Sequence, residues 1–250
     1  MLPDRSSTRS SGQFFSSGTM KEYLFLLLVC VTLSAAGLIN SCSKSKTDPP
    51  VTNGIKISFT EEFDTVMNLT QPSKGWVLKN NTGPTAGASW SQGQAASMDK
   101  SGNWYGFPAF SFHHSADEFA YANMIYASGT NVSSWLITPV LSVKNGDKIS
   151  FYTRADSCIS CKDRLQVLIN KSGSDDVGTS PGSVGGYTTA VLDINPNHTA
   201  GGYPSAWTRY EYTFSGLSGS INTRVAFRYY VPGPLPGRGV GIDLFKFTVL

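Results

Sequence analysis

The chain has 250 residues, with 20 Lys and Arg against 17 Asp and Glu, a formal net charge of +3. No Lys/Arg cluster accompanies that small excess, and nucleic-acid binding requires several phosphates to be neutralised at once, so no nucleic-acid partner is expected. Charged residues make up 15% of the chain and aromatics 12%, with 25 glycines, a mix suited to twisted strands joined by tight turns.

In chain order, a targeting segment comes first. Residues 1–19 are Ser-rich and aperiodic, and Met20 offers a second start. Lys21-Glu-Tyr then leads into an apolar run from Leu24 to Leu38, short of the about 20 residues that a membrane-spanning helix needs. The run closes on Leu38-Ile-Asn-Ser-Cys42, which resembles the bacterial lipobox, where a small residue precedes the cysteine that receives diacylglycerol. We therefore expect an N-terminal extension and signal peptide over 1–41, a lipidated Cys42, and attachment to the bacterial cell envelope at the outer membrane or cell surface. An uncleaved anchor, or an ordinary signal peptide with an incidental cysteine, are the alternatives, and either keeps the rest of the chain outside the cytoplasm. Loss of 1–41 would leave 17 basic against 15 acidic residues. Residues 42–54 are polar and contain Pro49 and Pro50, the composition of a flexible tether. A buried acyl chain contributes roughly 0.8 kcal/mol per methylene, enough for a multiply acylated cysteine to hold a domain at a membrane.

From residue 55 to 250 no helical period is sustained, and alternating apolar and polar residues recur between Gly, Asn, Asp and Pro. Strands are predicted over Lys56–Phe63, Phe119–Ala127, Trp135–Val143, Lys148–Arg154, Arg164–Asn170, Thr188–Asp193, Thr208–Phe214, Arg224–Val231 and Gly241–Val249. In the eighth of these, Val225, Phe227, Tyr229 and Val231 fall on one face, as a half-buried antiparallel strand requires. Asn145-Gly146-Asp147 reads as a hairpin turn pairing Trp135–Val143 with Lys148–Arg154. Many closely spaced strands without covering helices predict an all-β fold, an antiparallel β-sandwich of jelly-roll type.

The motif order from Phe59 onward is similar to the choice-of-anchor J domains and the related cleaved-adhesin domains, jelly rolls of MAM or galactose-binding type. The matching residues are Glu61-Glu-Phe-Asp64, Gly75-Trp76, Ser134-Trp-Leu-Ile-Thr-Pro139, Ile149-Ser-Phe-Tyr152, Asp163-Arg-Leu-Gln-Val167, Trp207, Val225-Ala-Phe-Arg-Tyr229 and Gly241-Ile-Asp-Leu244. Residues 80–120 depart from that pattern. The resemblance implies a non-catalytic cell-surface binding or adhesion module recognising glycan or an extracellular protein. It also implies that Glu61 in the first strand and Asp243 in the last help bind a structural Ca²⁺, a cation that wants roughly six to eight oxygens. The alternative is that these acids are solvated or hydrogen-bonded without metal.

Four further features remain. Asp99-Lys-Ser-Gly-Asn103 alternates oxygen-bearing residues as a calcium loop does, without the closing Glu. Cys158-Ile-Ser-Cys161 lacks the second cysteine pair of a zinc site and the helix of a redox motif, so in an exported chain a local disulfide is expected, with free thiols, zinc or redox chemistry as alternatives. His113 and His114 are adjacent, which on a strand sends them to opposite faces and disfavours joint ligation. Trp90, Trp104 and Tyr105 lie in the unaligned stretch and are candidates for stacking on sugar rings, against a bland role in packing. No nucleophile elbow, phosphate loop or zincin signature is present. A structural envelope lipoprotein without small ligand, and a hydrolase with its acids hidden in loops, stand as the competing functions.

Overall fold

A computed structural model describes residues 53–66, 70, 74–83, 89–98, 102, 104–124 and 131–250, with the side chains of residues 97, 104 and 105 outside the description. The signal segment, Cys42 and most of the tether therefore lie outside the described residues, as do Asp99 and Asn103.

The strands are β1 (Phe59–Glu61), β2 (Val77–Asn80), β3 (Trp90–Gln92), β4 (Ser97–Met98), β5 (Trp104–Tyr105), β6 (Ala120–Asn123), β7 (Val132–Ile137), β8 (Leu141–Val143), β9 (Lys148–Ala155), β10 (Leu165–Asn170), β11 (Thr189–Ile194), β12 (Thr208–Thr213), β13 (Ile221–Val231) and β14 (Gly239–Thr248). They form two antiparallel sheets and a small β4–β5 pair. The first sheet runs β12-β9-β14-β6-β3, with β1 also on β14; the second runs β11-β10-β13-β7-β2, with β8 also on β13. Successive strands change sheet at most connections, which wraps the chain around one core as a jelly roll.

The central strand of each sheet accounts for the core. In β13, Val225, Phe227, Tyr229 and Val231 are fully buried on the face toward the other sheet. Phe227 meets Phe151 of β9 with ring centroids 4.9 Å apart and Phe245 of β14 at 5.9 Å, both edge-on. These contacts tie the two sheets together through the arrangement that aromatic quadrupoles favour. In β14 the core residues are Val240 and Ile242, then Phe245 and Phe247. That change of parity needs one extra residue, and the register against β9 shifts between Asp243 and Lys246, with Leu244 at φ 48°. The β-bulge lets Ile242 and Phe245 both face inward and leaves Asp243 between them.

Three strand readings need correction. Trp135–Val143 is two strands, because Pro139 has no N–H to donate to a ladder. Thr138 closes β7 by bonding Val225 through its N–H (2.8 Å) and by accepting the Val225 N–H on its hydroxyl (3.0 Å). β8 then pairs with Ile221–Thr223 of β13. Consequently Asn145-Gly146-Asp147 is no hairpin within a sheet: it carries the chain from β8 in the second sheet to β9 in the first. Gly146 adopts φ 94° there, and the buried Asp147 accepts the N–H groups of Lys144 (2.9 Å) and of Leu250 (3.0 Å). The strands β2 to β5, finally, fall in the stretch for which no strand was predicted; β3 extends the first sheet and β2 the second.

Candidate functional site

Each sheet has an outer face, and each face is covered by a loop. Over the second sheet, Val177, Val184 and Tyr187 pack on Trp135, Ile137, Leu168 and Ala226. Beside them Arg228 is only 4% exposed and lies between the Trp135 ring (5.0 Å) and the Tyr230 ring (4.1 Å). Burial draws its pKa down to about 10. Ser133 and Gln166 accept its N–H groups at 3.1 and 3.0 Å.

Over the first sheet lies the segment from Gly106 to Phe119, inside the stretch that departs from the family pattern. Its anchor is a small aromatic cluster of Phe107 and Phe119 with Tyr121 and Trp207. Gly241 makes room for it, since a Cβ there would sit 2.8 Å from the Phe107 ring. The Trp207 Nε1–H donates to the Pro108 carbonyl (2.9 Å), and Arg154 lies over Phe107 at 4.4 Å.

Two acids hold the backbone of this loop. Asp243, turned to the outer face by the bulge, accepts the N–H groups of Phe110 (2.8 Å) and Ser111 (2.9 Å) on Oδ2 and that of Leu244 on Oδ1. Burial pushes its carboxyl up to about 7, with the nearby Glu62 charge adding to the rise and the three amides opposing it. Glu118 accepts the N–H groups of His113, His114 and Ser115. Burial acts to raise Glu118, and the three amides outweigh it, leaving the carboxyl below its ordinary value. Five amides of one loop are thus committed to two carboxylates, which fixes the side chains between them. Phe110 and Phe112 are 42% and 53% exposed. Phe110 stacks on Tyr152 of β9 with centroids 3.7 Å apart and planes 14° from parallel.

Solved structures of similar shape include cleaved adhesin domains and carbohydrate-binding modules. The chain is similar to the K1 cleaved adhesin domain of Lys-gingipain from Porphyromonas gingivalis W83, with 16% identity and a TM-score of 0.46 over 77% of this chain and 98% of that one. The K2 domain of the same protein gives 18% and 0.45 over 77% and 99%. The structure of TmCBM61 with β-1,4-galactotriose gives 10% and 0.36 over 76% and 92%. At these identities the likeness concerns the fold alone. No protein-family model matches the sequence, and no curated protein matches it.

The residues singled out from sequence fall in different places. Trp90 belongs to the main core at 3% exposure, a correction to its candidacy as a ligand platform: it pairs with Ala122 at the sheet edge and points inward. Trp104 and Tyr105 form β5, and their side chains are outside the described residues. Cys158 and Cys161 form a disulfide with Cα atoms 5.3 Å apart. His113 and His114 sit on a loop, and their rings separate: His113 Nδ1 pairs with Asp64 (3.2 Å), whose hydrogen bond and charge raise the His113 pKa, while His114 faces Glu118. Asp64, His113 and Glu118 bring ligand atoms within 4.8 Å of one another, but Glu118 has its oxygens occupied by amides.

Glu61 and Asp243 are engaged separately. Glu61 accepts the Phe63 N–H on Oε1 and the Lys74 ammonium on Oε2. Its neighbour Glu62 is the acid whose charge reaches Asp243, and Oε2 of Glu62 is buried without a hydrogen-bond partner. An orphaned carboxylate oxygen beside a second carboxylate is chemistry that a hard cation satisfies, so the fit to Ca²⁺ lies with Glu62 rather than Glu61.

Sequence reasoning passed over Phe110, Phe112, Tyr152 and Glu118. The signal for the last was present: Ser115-Ala-Asp-Glu118 has the Ser-x-x-Glu spacing by which a carboxylate reaches back to free amides. Replacing Glu118 with Ala should leave those amides without an acceptor. We expect hydrogen exchange at His113–Ser115 to accelerate well beyond that of the β13 amides, with a lowered melting temperature; unchanged protection would show that the carboxylate does not hold the loop.

Proposed function

We propose that this protein is a non-catalytic binding module that recognises glycan through the aromatic surface of the loop 106–119. The observation that carries this reading is the pair of exposed rings, Phe110 and Phe112, on a backbone fixed by Asp243 and Glu118. Sugar rings bury their C–H faces against aromatic rings, and a platform already ordered before binding loses little entropy when a ligand lands. The two carboxylates that hold the loop, Asp243 and Glu118, are spent on backbone amides, which suits an ordered platform. A glycan array probed with the purified chain should give a defined set of ligands. Phe110→Ala and Phe112→Ala should each weaken the best of them about tenfold, the loss expected for one aromatic contact of roughly 1.4 kcal/mol, with the fold retained and only Phe110→Ala, which also loses its stack on Tyr152, lowering the melting temperature. Binding that survives both substitutions would remove the platform from the account.

Calcium enters this proposal as a structural ion. Glu62 and Asp243 would help hold it, and its charge would offset their mutual repulsion beside the loop. After EDTA treatment, added Ca²⁺ should raise the melting temperature. Glu62→Gln should lose that response and Glu61→Gln keep it, whereas an equal response in both variants would reassign the site.

We also propose that Cys42 carries the lipid that places the module on the outside of the bacterial envelope. Expressed in a bacterium with lipoprotein processing, the chain should incorporate labelled palmitate and sediment with membranes. Cys42→Ala should abolish the label, and a labelled Cys42→Ala protein would refute the assignment.

A further inference from the structure

A second site lies where β9 hands over to β10, touching the aromatic loop only at its first residue, Gly106. The Cys158–Cys161 disulfide folds the connecting segment tightly, and the Cys161 carbonyl accepts the Gly201 N–H (2.9 Å), fastening the 199–205 turn against it. Between them is a cavity of about 200 Å³. Its lining includes the disulfide, Ile159, Tyr203, Ser205, Asp156 and Asp163, and no Lys, Arg or His.

Asp163 is the unusual member. It is 1% exposed, and the Tyr229 hydroxyl (2.6 Å) and the Arg238 and Gly239 N–H groups (3.0 Å each) all donate to its Oδ1. These donors are neutral. A buried carboxylate held only by neutral donors is deprived of both water and a counter-charge, which is costly unless a cation arrives. Burial accordingly pushes the carboxyl above its ordinary value. Asp156 adds a second acid to the same wall, with its carboxylate on the Gly106 N–H. The rim has the opposite character, since Ile159 is 94% exposed beside the disulfide sulfurs.

We propose that this cavity binds a primary ammonium group on an apolar stem, as a lysine side chain or a small alkylamine presents it. The acids select for positive charge. Oδ1 is already taken by the three donors, so an added cation would have to be met at the carboxylate's other oxygen, an arrangement that suits a compact ammonium better than the two-pronged guanidinium of arginine. Ile159 and the disulfide cover the methylenes, which lysine buries readily while its charged end finds a partner. A neutral polyol would find a hydroxyl partner in Ser205, the Tyr203 hydroxyl being buried on Thr153 (2.7 Å), and would leave Asp163 without a counter-charge.

The test is a chemical-shift titration of the full chain with Nα-acetyl-lysine methylamide, with its Nε-acetylated form, and with 1,5-diaminopentane. Saturable shifts at 156–163 and 201–205 with the free lysine, absent with the acetylated one, are the expected result. Asp163→Asn should weaken binding at least tenfold. Should that variant not fold, Ser205→Trp at the cavity mouth should block binding instead. Saturation by diaminopentane but not by lysine would support the ammonium site and identify a small amine as its source. Equal binding of the acetylated form, saturable shifts confined to other regions, no saturation at millimolar ligand, or full affinity in the folded variant would each overturn the proposal.

Discussion

The bulge in β14 is the constraint on which the rest of the molecule depends. Val240 and Ile242 fill the core under β6, Phe245 and Phe247 fill it under β1, and a regular strand cannot supply both pairs to one face. One extra residue at Asp243–Leu244 restores the fit, with β9 continuing along the opposite edge on either side of it. The cost is a carboxylate fixed on the outer face under a covering loop. The loop's own amides offset that cost, so the same irregularity that completes the core also orders the surface above it.

The two acids of the loop illustrate how similar contacts give opposite outcomes. Asp243 and Glu118 each accept three backbone N–H groups, yet Asp243 ends above its ordinary pKa and Glu118 below it. Near Asp243 the charge of Glu62 adds to the penalty of burial, whereas Glu118 lies beside His114 and closer to solvent. The loop therefore joins an end where burial, with the charge of Glu62 adding to it, works against the carboxylate to an end where amides and an imidazole surround one carboxylate. Whatever shifts the charge of Asp243 acts on Phe110 directly, because the Phe110 amide is bound to that carboxylate.

Much of the fold was legible because the inward positions of the core strands are mostly apolar at every second residue. Val225 to Val231 and Ile149 to Ala155 announce their buried faces in sequence, and the all-β sandwich follows. What escaped were features set by tertiary pairing. Asn145-Gly146-Asp147 has hairpin chemistry, but local turn preference does not say which sheet receives the next strand; the break at Thr138–Pro139 does. Trp90 looked like a surface aromatic because its neighbours are polar and Gly-rich, and only the edge pairing of β3 with β6 turns it inward. The shift of attention from Glu61 to Glu62 has the same origin: β1 ends at Glu61, and sequence alone does not decide which of the two adjacent acids brings its charge to bear on Asp243.

The two outer faces differ in what their coverings leave exposed, and this bears on where the proposed recognition would occur. On the second sheet the cation of Arg228 is enclosed by Trp135, Tyr230, Ser133 and Gln166. Arg164 and Asp193 pair beside it with the Arg164 Nε–H at 2.8 Å from the carboxylate. Its polar groups are occupied with one another, so a ligand there would have to displace contacts already made. On the first sheet the polar groups are equally occupied, but they are backbone amides and buried acids, and what they hold outward is apolar ring surface that nothing within the described chain covers. A ligand landing on Phe110 and Phe112 breaks no internal hydrogen bond. By that criterion the loop over β14 is the better candidate for the proposed recognition surface, and the stacked charges on the opposite sheet serve to fix the sandwich on which the loop is carried.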